Sequence, residues 1–139
     1  KGKIRYMRPH SYPRRRVLSP QVVTYKIIPM LARVVADGTG RRAFSPRYRI
    51  GGKTGTAQKW VNGTYSSGKY VSSFIGFAPV ESPRIVVLIM VNEPETKYGI
   101  PYGGRVAAPA VRSVIERVLD YMRYSKRTVV ATLRWRTAR

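Results

Sequence analysis

Three consecutive strand-like runs, separated by turn residues, constrain the fold of this chain more than any other feature. The runs cover residues 49–60, 70–78 and 84–92, and the breaks between them contain Asn62-Gly63, Ser67-Gly68 and Ser82-Pro83. Alternating or continuously apolar runs bounded by such residues are typical of β-strands joined by short loops. The sequence therefore predicts an antiparallel meander, with the third run, which is apolar throughout, as its central strand.

Helical patterns flank the predicted sheet. Ser19-Pro20 predicts an N-cap followed by proline at the first helical position, and apolar residues then recur at mostly helical spacing to about Asp37. Pro29 lies inside this pattern and removes one backbone hydrogen bond at a cost of roughly 3 kcal/mol, so we expect a kink or two shorter helices. Pro109 begins a second helix, whose apolar stripe comprises Val111, Val114, Ile115, Val118, Leu119 and Met122. The fold class predicted is α+β, with helices packed against an antiparallel sheet.

The charge of the chain restricts its partners. It contains 27 Lys and Arg against 6 Asp and Glu, a formal net charge of +21. Such a surface attracts anions, which include nucleic acid, acidic lipid headgroups, anionic cell-wall polymers and acidic protein partners. Charge alone does not choose among them.

Several classes of site and segment are excluded by composition. The chain has no cysteine and one histidine, so it cannot build a disulfide framework, a thiolate nucleophile or a Cys/His metal cluster, and no metal or cofactor is expected. Its longest apolar run, residues 85–91, is far shorter than the roughly 20 residues that cross a bilayer. The sequence therefore predicts no transmembrane segment.

The basic residues concentrate at both ends of the chain. We predict a basic extended arm over residues 1–17, a folded sub-domain over residues 18–122 and a basic tail over residues 123–139. Aromatic residues are interleaved with arginines in the arm and the tail, a pattern typical of segments that contact nucleic acid. The candidate contacts to an anion or a nucleic acid are Arg14, Arg15, Arg16, Arg134 and Arg136.

A Gly-Gly-Lys-Thr-Gly-Thr motif, residues 51–56, opens the first predicted strand. Alone it is weak, because a flexible turn before a strand would read the same way. It is not a phosphate-binding loop, because it lacks the four-residue spacer before Gly-Lys-Ser/Thr and leads into a strand. Three further segments follow the motif along the sequence: Phe74-Ile75-Gly76-Phe77-Ala78-Pro79, Glu93-Pro94 and Tyr102-Gly103-Gly104-Arg105.

Together these segments resemble the C-terminal part of the transpeptidase domain of class B penicillin-binding proteins, which cross-link peptidoglycan in elongation and division. The resemblance implies a penicillin-binding/β-lactamase-like fold with Lys53 on the edge strand of the sheet, where its cation holds a carboxylate or tunes a hydroxyl. It implies that Thr54 and Thr56 bind the carboxylate of the D-Ala-D-Ala stem peptide or of penicillin. The Thr56 amide would donate to the oxyanion, and Gly55 would let a ligand approach the strand.

The family's nucleophilic serine belongs to a Ser-x-x-Lys motif, and a Ser-x-Asn motif follows it. The string Ser66-Ser67-Gly68-Lys69 fits the first pattern, but it comes after Lys-Thr-Gly in a predicted hairpin loop, and no Ser-x-Asn string occurs. We therefore expect a fragment that contains no catalytic residue and is inactive alone. Its expected partner is the remainder of the domain, in a missing segment or a separate chain, within a membrane-anchored parent at the periplasmic face of the cytoplasmic membrane.

A second hypothesis also accounts for the charge. A non-catalytic remnant of this family could serve as a basic RNA-binding or scaffold subunit of an intracellular or organellar complex, through its basic arms. That function would depend steeply on salt and would not depend on Lys53.

Overall fold

The computed structural model describes residues 15–95 and 99–122. Over these residues the chain forms an antiparallel three-stranded sheet with helices before and after it, which confirms the predicted fold class. The elements, in chain order, are helix α1 (Pro20–Val22), a π-helix (Val23–Ile27), helix α2 (Ile28–Ala36), a 3-10 turn (Arg41–Ala43), strands β1 (Gly51–Val61), β2 (Thr64–Ala78) and β3 (Ile85–Asn92), and helices α3 (Gly103–Val106) and α4 (Ala108–Tyr121).

The irregularity expected at Pro29 takes the form of a π-helical turn. The amide of Ile28 bonds to the carbonyl of Val23, five residues back, instead of the usual four. Pro29 has no amide to donate to residue 25 and its ring crowds that carbonyl, so a wider turn relieves the conflict without ending the helix. The irregularity predicted at Pro29 is thus a π-helical turn rather than a break, and α2 ends at Ala36, one residue before the expected end.

The sheet has the order β1-β2-β3, so β2 is its central strand. The prediction that the third run is central is therefore wrong for the described residues. Residues of β3 alternate between half-buried and exposed, because one face of the strand packs on α4 and the other is uncovered. β2 also begins earlier than predicted: Asn62 and Gly63 form a tight turn with φ of 50° and 82°, and Ser66 and Lys69 lie in the strand, not in a loop.

The core forms where α4 packs on one face of β2. Phe74 and Ala78 of β2 are fully buried against α4. Three members of the predicted helical stripe, Val111, Ile115 and Leu119, are also 0% exposed, and each such side chain contributes about 1.5–3 kcal/mol when buried. Two other members of the stripe, Val114 and Met122, are 39% and 43% exposed, so the buried stripe is narrower than predicted.

The opposite face of the sheet is apolar and exposed. Ile75 of β2 lies beside Leu88 of β3, and Val86 and Met90 continue the same row. These four residues are 44–64% exposed. We call this row the apolar face. Contiguous exposed apolar surface is typical of protein–protein or membrane interaction sites and of ligand-binding grooves.

The predicted basic arm and tail fall mainly outside the described residues. Arg14, Arg134 and Arg136 lie outside them, whereas Arg15 and Arg16 are described and exposed. The extended arm, the tail and their anion contacts stay predictions. Within the described ranges, no helix is long and apolar enough to cross a membrane.

Candidate active site

The Lys-Thr-Gly motif lies near the start of β1, an edge strand of the described sheet. The register pairs Thr54 with Phe74 of the buried face, which places the Thr54 and Thr56 side chains on the α4 side. Lys53 and Gly55 alternate with them, and lie on the same side as the apolar face. Lys53 and Thr56 are exposed, and Thr54 and Gly55 are half-buried. The Lys53 side chain thus leaves β1 on one face and the two threonine side chains leave it on the other.

The backbone of the motif is presented at the outer edge of β1. The Lys53 Nζ donates to the Thr54 carbonyl at 3.0 Å, which places that carbonyl on the side of β1 away from β2. In an antiparallel ladder the amide and carbonyl of one residue point the same way, and every second residue repeats the direction. The amides and carbonyls of Thr54 and Thr56 therefore both face the outer edge. An extended ligand could pair with them as an additional strand.

The two threonine hydroxyls are held by neighbouring segments. The Gly103 amide donates to Thr56 Oγ1 at 3.1 Å. Thr54 Oγ1 lies 3.1 Å from Thr39 Oγ1 and receives the Lys53 ammonium at 3.5 Å. An amide and an ammonium can only donate, so these contacts use oxygen lone pairs of the hydroxyls. The Thr56 hydroxyl proton is left to donate to a ligand anion.

The segment before α4 reaches the motif because it contains glycine where the chains meet. A Cβ on Gly103 would overlap the carbonyl oxygens of Ser73 and Gly55, which belong to the β1–β2 ladder. The buried Ser72 hydroxyl donates to the Pro101 carbonyl and fixes the same segment. Neither Gly103 nor Thr39 had an assigned role from the sequence. The Tyr102-Gly103-Gly104 string contributed to the family resemblance, but the sequence did not predict this contact.

A polar network anchors the residues that lead into β1. Arg47 pairs with Asp120 at 2.5 Å and with Glu116 at 3.2 Å, both on α4, and the Tyr48 hydroxyl donates to Asp120 at 2.7 Å. The hydrogen bond from Tyr48, and then that from Arg47, lower the pKa of Asp120. Burial, and then the bond to Asp120, raise the pKa of Tyr48 to about 12. The network ties the entry of the motif strand to the core helix.

A cavity of about 330 Å³ opens beside the two motif threonines. Its lining comprises Thr39, Arg41, Arg42, Thr54, Thr56, Tyr102, Gly104 and Arg105. A larger cavity of about 680 Å³ lies away from the motif, against α2, where Arg49 and Glu81 neutralise each other. The smaller cavity lies beside the motif hydroxyls, and its lining contains three arginines and no carboxylate.

Comparison with known proteins shows to which family the chain with this arrangement belongs. The family model for the penicillin binding protein transpeptidase domain matches residues 2–116. The chain belongs to the penicillin-binding protein transpeptidase family. Stage V sporulation protein D of Bacillus subtilis is 52% identical over 85 residues, which are 61% of this chain and 13% of that protein. A peptidoglycan D,D-transpeptidase FtsI homolog of Chlorokybus atmophyticus is 41% identical over 107 residues, covering 76% of this chain and 15% of that protein.

Solved penicillin-binding proteins have the same fold. The transpeptidase domain of Burkholderia pseudomallei penicillin-binding protein 3 matches with a TM-score of 0.68 and 40% identity, over 78% of this chain and 32% of that chain. Penicillin-binding protein 3 of Mycobacterium tuberculosis in complex with aztreonam matches with a TM-score of 0.69 and 30% identity, over 79% of this chain and 26% of that chain. The chain thus spans less than a fifth of the two curated relatives above and about a third or less of these two structures.

The family assignment bears on the remaining sequence predictions. The RNA-binding alternative gains no support from these matches, and most of its candidate contacts lie outside the described residues. Within the described ranges, no group of three or more acidic or histidine side chains could hold a metal ion. The role of the motif residues in binding stays a prediction, which the geometry makes specific.

Proposed function

We propose that this chain supplies the Lys-Thr-Gly edge strand of a serine D,D-transpeptidase that cross-links peptidoglycan and binds penicillin. The single observation that carries the proposal is the placement of Lys53, Thr54 and Thr56 together at an exposed strand edge in a chain of this family. The reaction is acyl transfer: a serine attacks the penultimate D-Ala carbonyl, the terminal D-Ala leaves, and an amine of a second peptide takes the acyl group. The serine comes from outside these 139 residues.

Each motif residue has a distinct role in this proposal. The outward amide of Thr56 donates to the oxyanion that forms on the attacked carbonyl, a contribution commonly worth about 10²–10³ in rate. The Thr54 and Thr56 hydroxyls donate to the ligand carboxylate. The Lys53 ammonium stabilises negative charge at the strand edge or tunes a hydroxyl brought there by the rest of the domain. Gly55 has no side chain on its face of the strand, so a ligand backbone can approach there.

The apolar face supports the proposal that another part of the domain completes the site. It lies on the same side of the sheet as Lys53 and Gly55, so a segment that covers it would stand next to the motif. Covering Leu88 and Met90, which are 55% and 62% exposed, would also remove apolar surface from water. The segment that carries the serine is the proposed occupant, whether it belongs to the same polypeptide or to a separate chain. We propose that this complete enzyme works at the cell envelope, in a membrane-anchored parent.

The test is fluorescent-penicillin labelling of natively purified material that contains this chain, with mass spectrometry of every labelled peptide. The proposal expects a labelled serine outside these 139 residues, and at least a tenfold fall in the labelling rate for Lys53→Ala, equivalent to about 1.4 kcal/mol. Lys26→Ala is the matched control, because Lys26 is an exposed lysine on the π-helix, away from the motif. Labelling that is absent, or equally fast in both variants, would contradict the proposal.

A further inference from the structure

We propose that Arg41, Arg42 and Arg105 form an oxyanion subsite beside the motif, which selects ligands by the charge of their carboxylate end. We call these three residues the arginine cluster. None of them belongs to the Lys-Thr-Gly motif, and all three line the cavity that also contains Thr54 and Thr56. That the ligand is a peptide carboxylate rests on the proposed function. That the ligand is negatively charged is inferred from the cavity alone.

The cluster is built from two segments that the fold locks to the motif strand. Arg41 and Arg42 form a 3-10 turn that follows Thr39, and the Thr39 hydroxyl lies 3.1 Å from that of Thr54. Arg105 follows Gly104, whose Cα approaches the Thr39 carbonyl so closely that a Cβ there would overlap it. These contacts hold the two segments next to each other and next to β1, so the backbones of the three arginines lie close to the motif.

The cluster has no carboxylate partner among residues 15–95 and 99–122. All six carboxylate side chains of the sequence lie among the described residues. Five of them pair with other bases: Asp37, Glu81, Glu93, Glu116 and Asp120. The sixth, Glu95, makes no described ion pair with the cluster. Three exposed arginines that line one cavity, without a carboxylate partner in the described part of the chain, raise the local concentration of anions.

The chemistry of the lining fits an oxyanion better than a neutral group. Guanidinium groups present planar pairs of donors that match a carboxylate or a phosphate, and charge-assisted bonds of this kind are about twice as strong as neutral ones. The Thr56 hydroxyl adds a donor whose lone pair already accepts from Gly103. A peptide carboxylate held by the motif threonines would therefore face three cations. An amide or ester in its place is neutral, so it would not compensate the positive charge of the arginines.

The experiment is an NMR titration of the isotope-labelled chain with three probes. These are inorganic phosphate, a short peptide that ends in D-Ala-D-Ala with a free carboxylate, and the same peptide with an amidated terminus. The amide signals of Arg41, Arg42, Gly104 and Arg105 report on the cavity. We expect phosphate and the acid peptide to shift these signals saturably, and the amidated peptide to bind at least about tenfold more weakly.

Two charge-matched variants separate a site from general attraction. The site variant changes Arg41, Arg42 and Arg105 to Gln, and the control changes Lys26, Arg84 and Arg117 to Gln, three exposed bases with no described ion pair. The proposal expects at least a tenfold loss of acid-peptide affinity in the first and less than about a twofold loss in the second. Equal losses would overturn it, because surface charge is then sufficient.

The remaining outcomes of the titration also support or overturn the proposed subsite. Absence of shifts at these four amides with every probe overturns the subsite, and so does equal binding of the acid and amidated peptides. Shifts with phosphate alone overturn the assignment of the ligand as a peptide carboxylate. If penicillin labelling of the serine-bearing material fails while the acid peptide still binds here, the proposed function falls and the oxyanion subsite stands.

Discussion

The Thr56 hydroxyl and the Gly103 amide, 47 positions apart in the chain, are joined by a hydrogen bond of 3.1 Å. This contact holds the motif strand to the segment that precedes α4. Since the amide donates, the Thr56 hydroxyl can still donate its own proton, and a ligand carboxylate at the strand edge is the acceptor that the proposed function supplies.

Thr56→Val should therefore slow the acylation of serine-bearing material by penicillin by about 10-fold to 100-fold, since a lost hydrogen bond to a charged group costs about 1.5–3 kcal/mol. Valine keeps the shape of threonine but cannot accept from Gly103 or donate to a carboxylate. Thr56→Ser keeps the hydroxyl and should retain most of the rate. The second-order labelling rate measures both, and a valine variant as fast as the serine variant would contradict the role of the hydroxyl.

Gly103→Ala should destabilise the fold and detach the segment from Thr56. The added methyl group would overlap two carbonyl oxygens of the β1–β2 ladder, which are backbone atoms and cannot rotate away. Overpacking of this kind costs about 1–3 kcal/mol, measurable by urea denaturation. The matched control is Gly99→Ala: Gly99 has φ of 62° but no atom near its Cβ, so its cost comes from the backbone alone. The Thr56 hydroxyl contact should survive in the control, as judged by the NMR signals of Gly103.

The sequence predicts the parts of this fold that depend on local pattern. Alternation and turn residues locate three antiparallel strands, Pro109 marks the first turn of α4, and Pro29 marks the irregular helix. The meander was predicted correctly, but the third run was wrongly predicted to be its central strand, because a continuously apolar run indicates burial on both faces. In β3 one row of that run is instead the apolar face, exposed over the described residues.

The site is predictable where a motif exists and not where contacts are long-range. Lys53, Thr54 and Thr56 follow from the motif in its context. The contact of Thr39 with Thr54 spans 15 positions and that of Gly103 with Thr56 spans 47, and no periodicity encodes either distance. The arginine cluster could not be predicted from the sequence for the same reason. The chain has 27 basic residues, and only the fold shows that these three line one cavity.

Asp120→Asn should lower the free energy of unfolding near neutral pH. It should also make that free energy depend less on pH in the acidic range. The native pKa of Asp120 lies below its usual 3.8, first because Tyr48 donates to it and then because Arg47 does. A carboxyl group whose pKa is lowered by folding stabilises the native state above its unfolded pKa, and this contribution is lost as pH falls through the native value. The free energy of unfolding of the wild type should thus fall toward that of the variant below about pH 4. Parallel curves for the two proteins from pH 7 to pH 2 would contradict the assignment.

Tyr48→Phe should change the alkaline side of the stability profile instead. Tyr48 is only 4% exposed, and burial together with its bond to Asp120 raises its native pKa from 10.0 to about 12. A raised pKa means that the native state holds the proton more tightly, so the contribution is complete below pH 10 and is lost as pH rises through about 12. Chemical denaturation at steps between pH 9 and pH 12 should show the wild type losing its advantage over the phenylalanine variant across this interval. Tyr121→Phe is the control, because Tyr121 is 90% exposed and should leave the shape of the profile unchanged. If Tyr48→Phe and Tyr121→Phe alter the profile equally, the proton of Tyr48 is not held by the network that anchors the motif strand to α4.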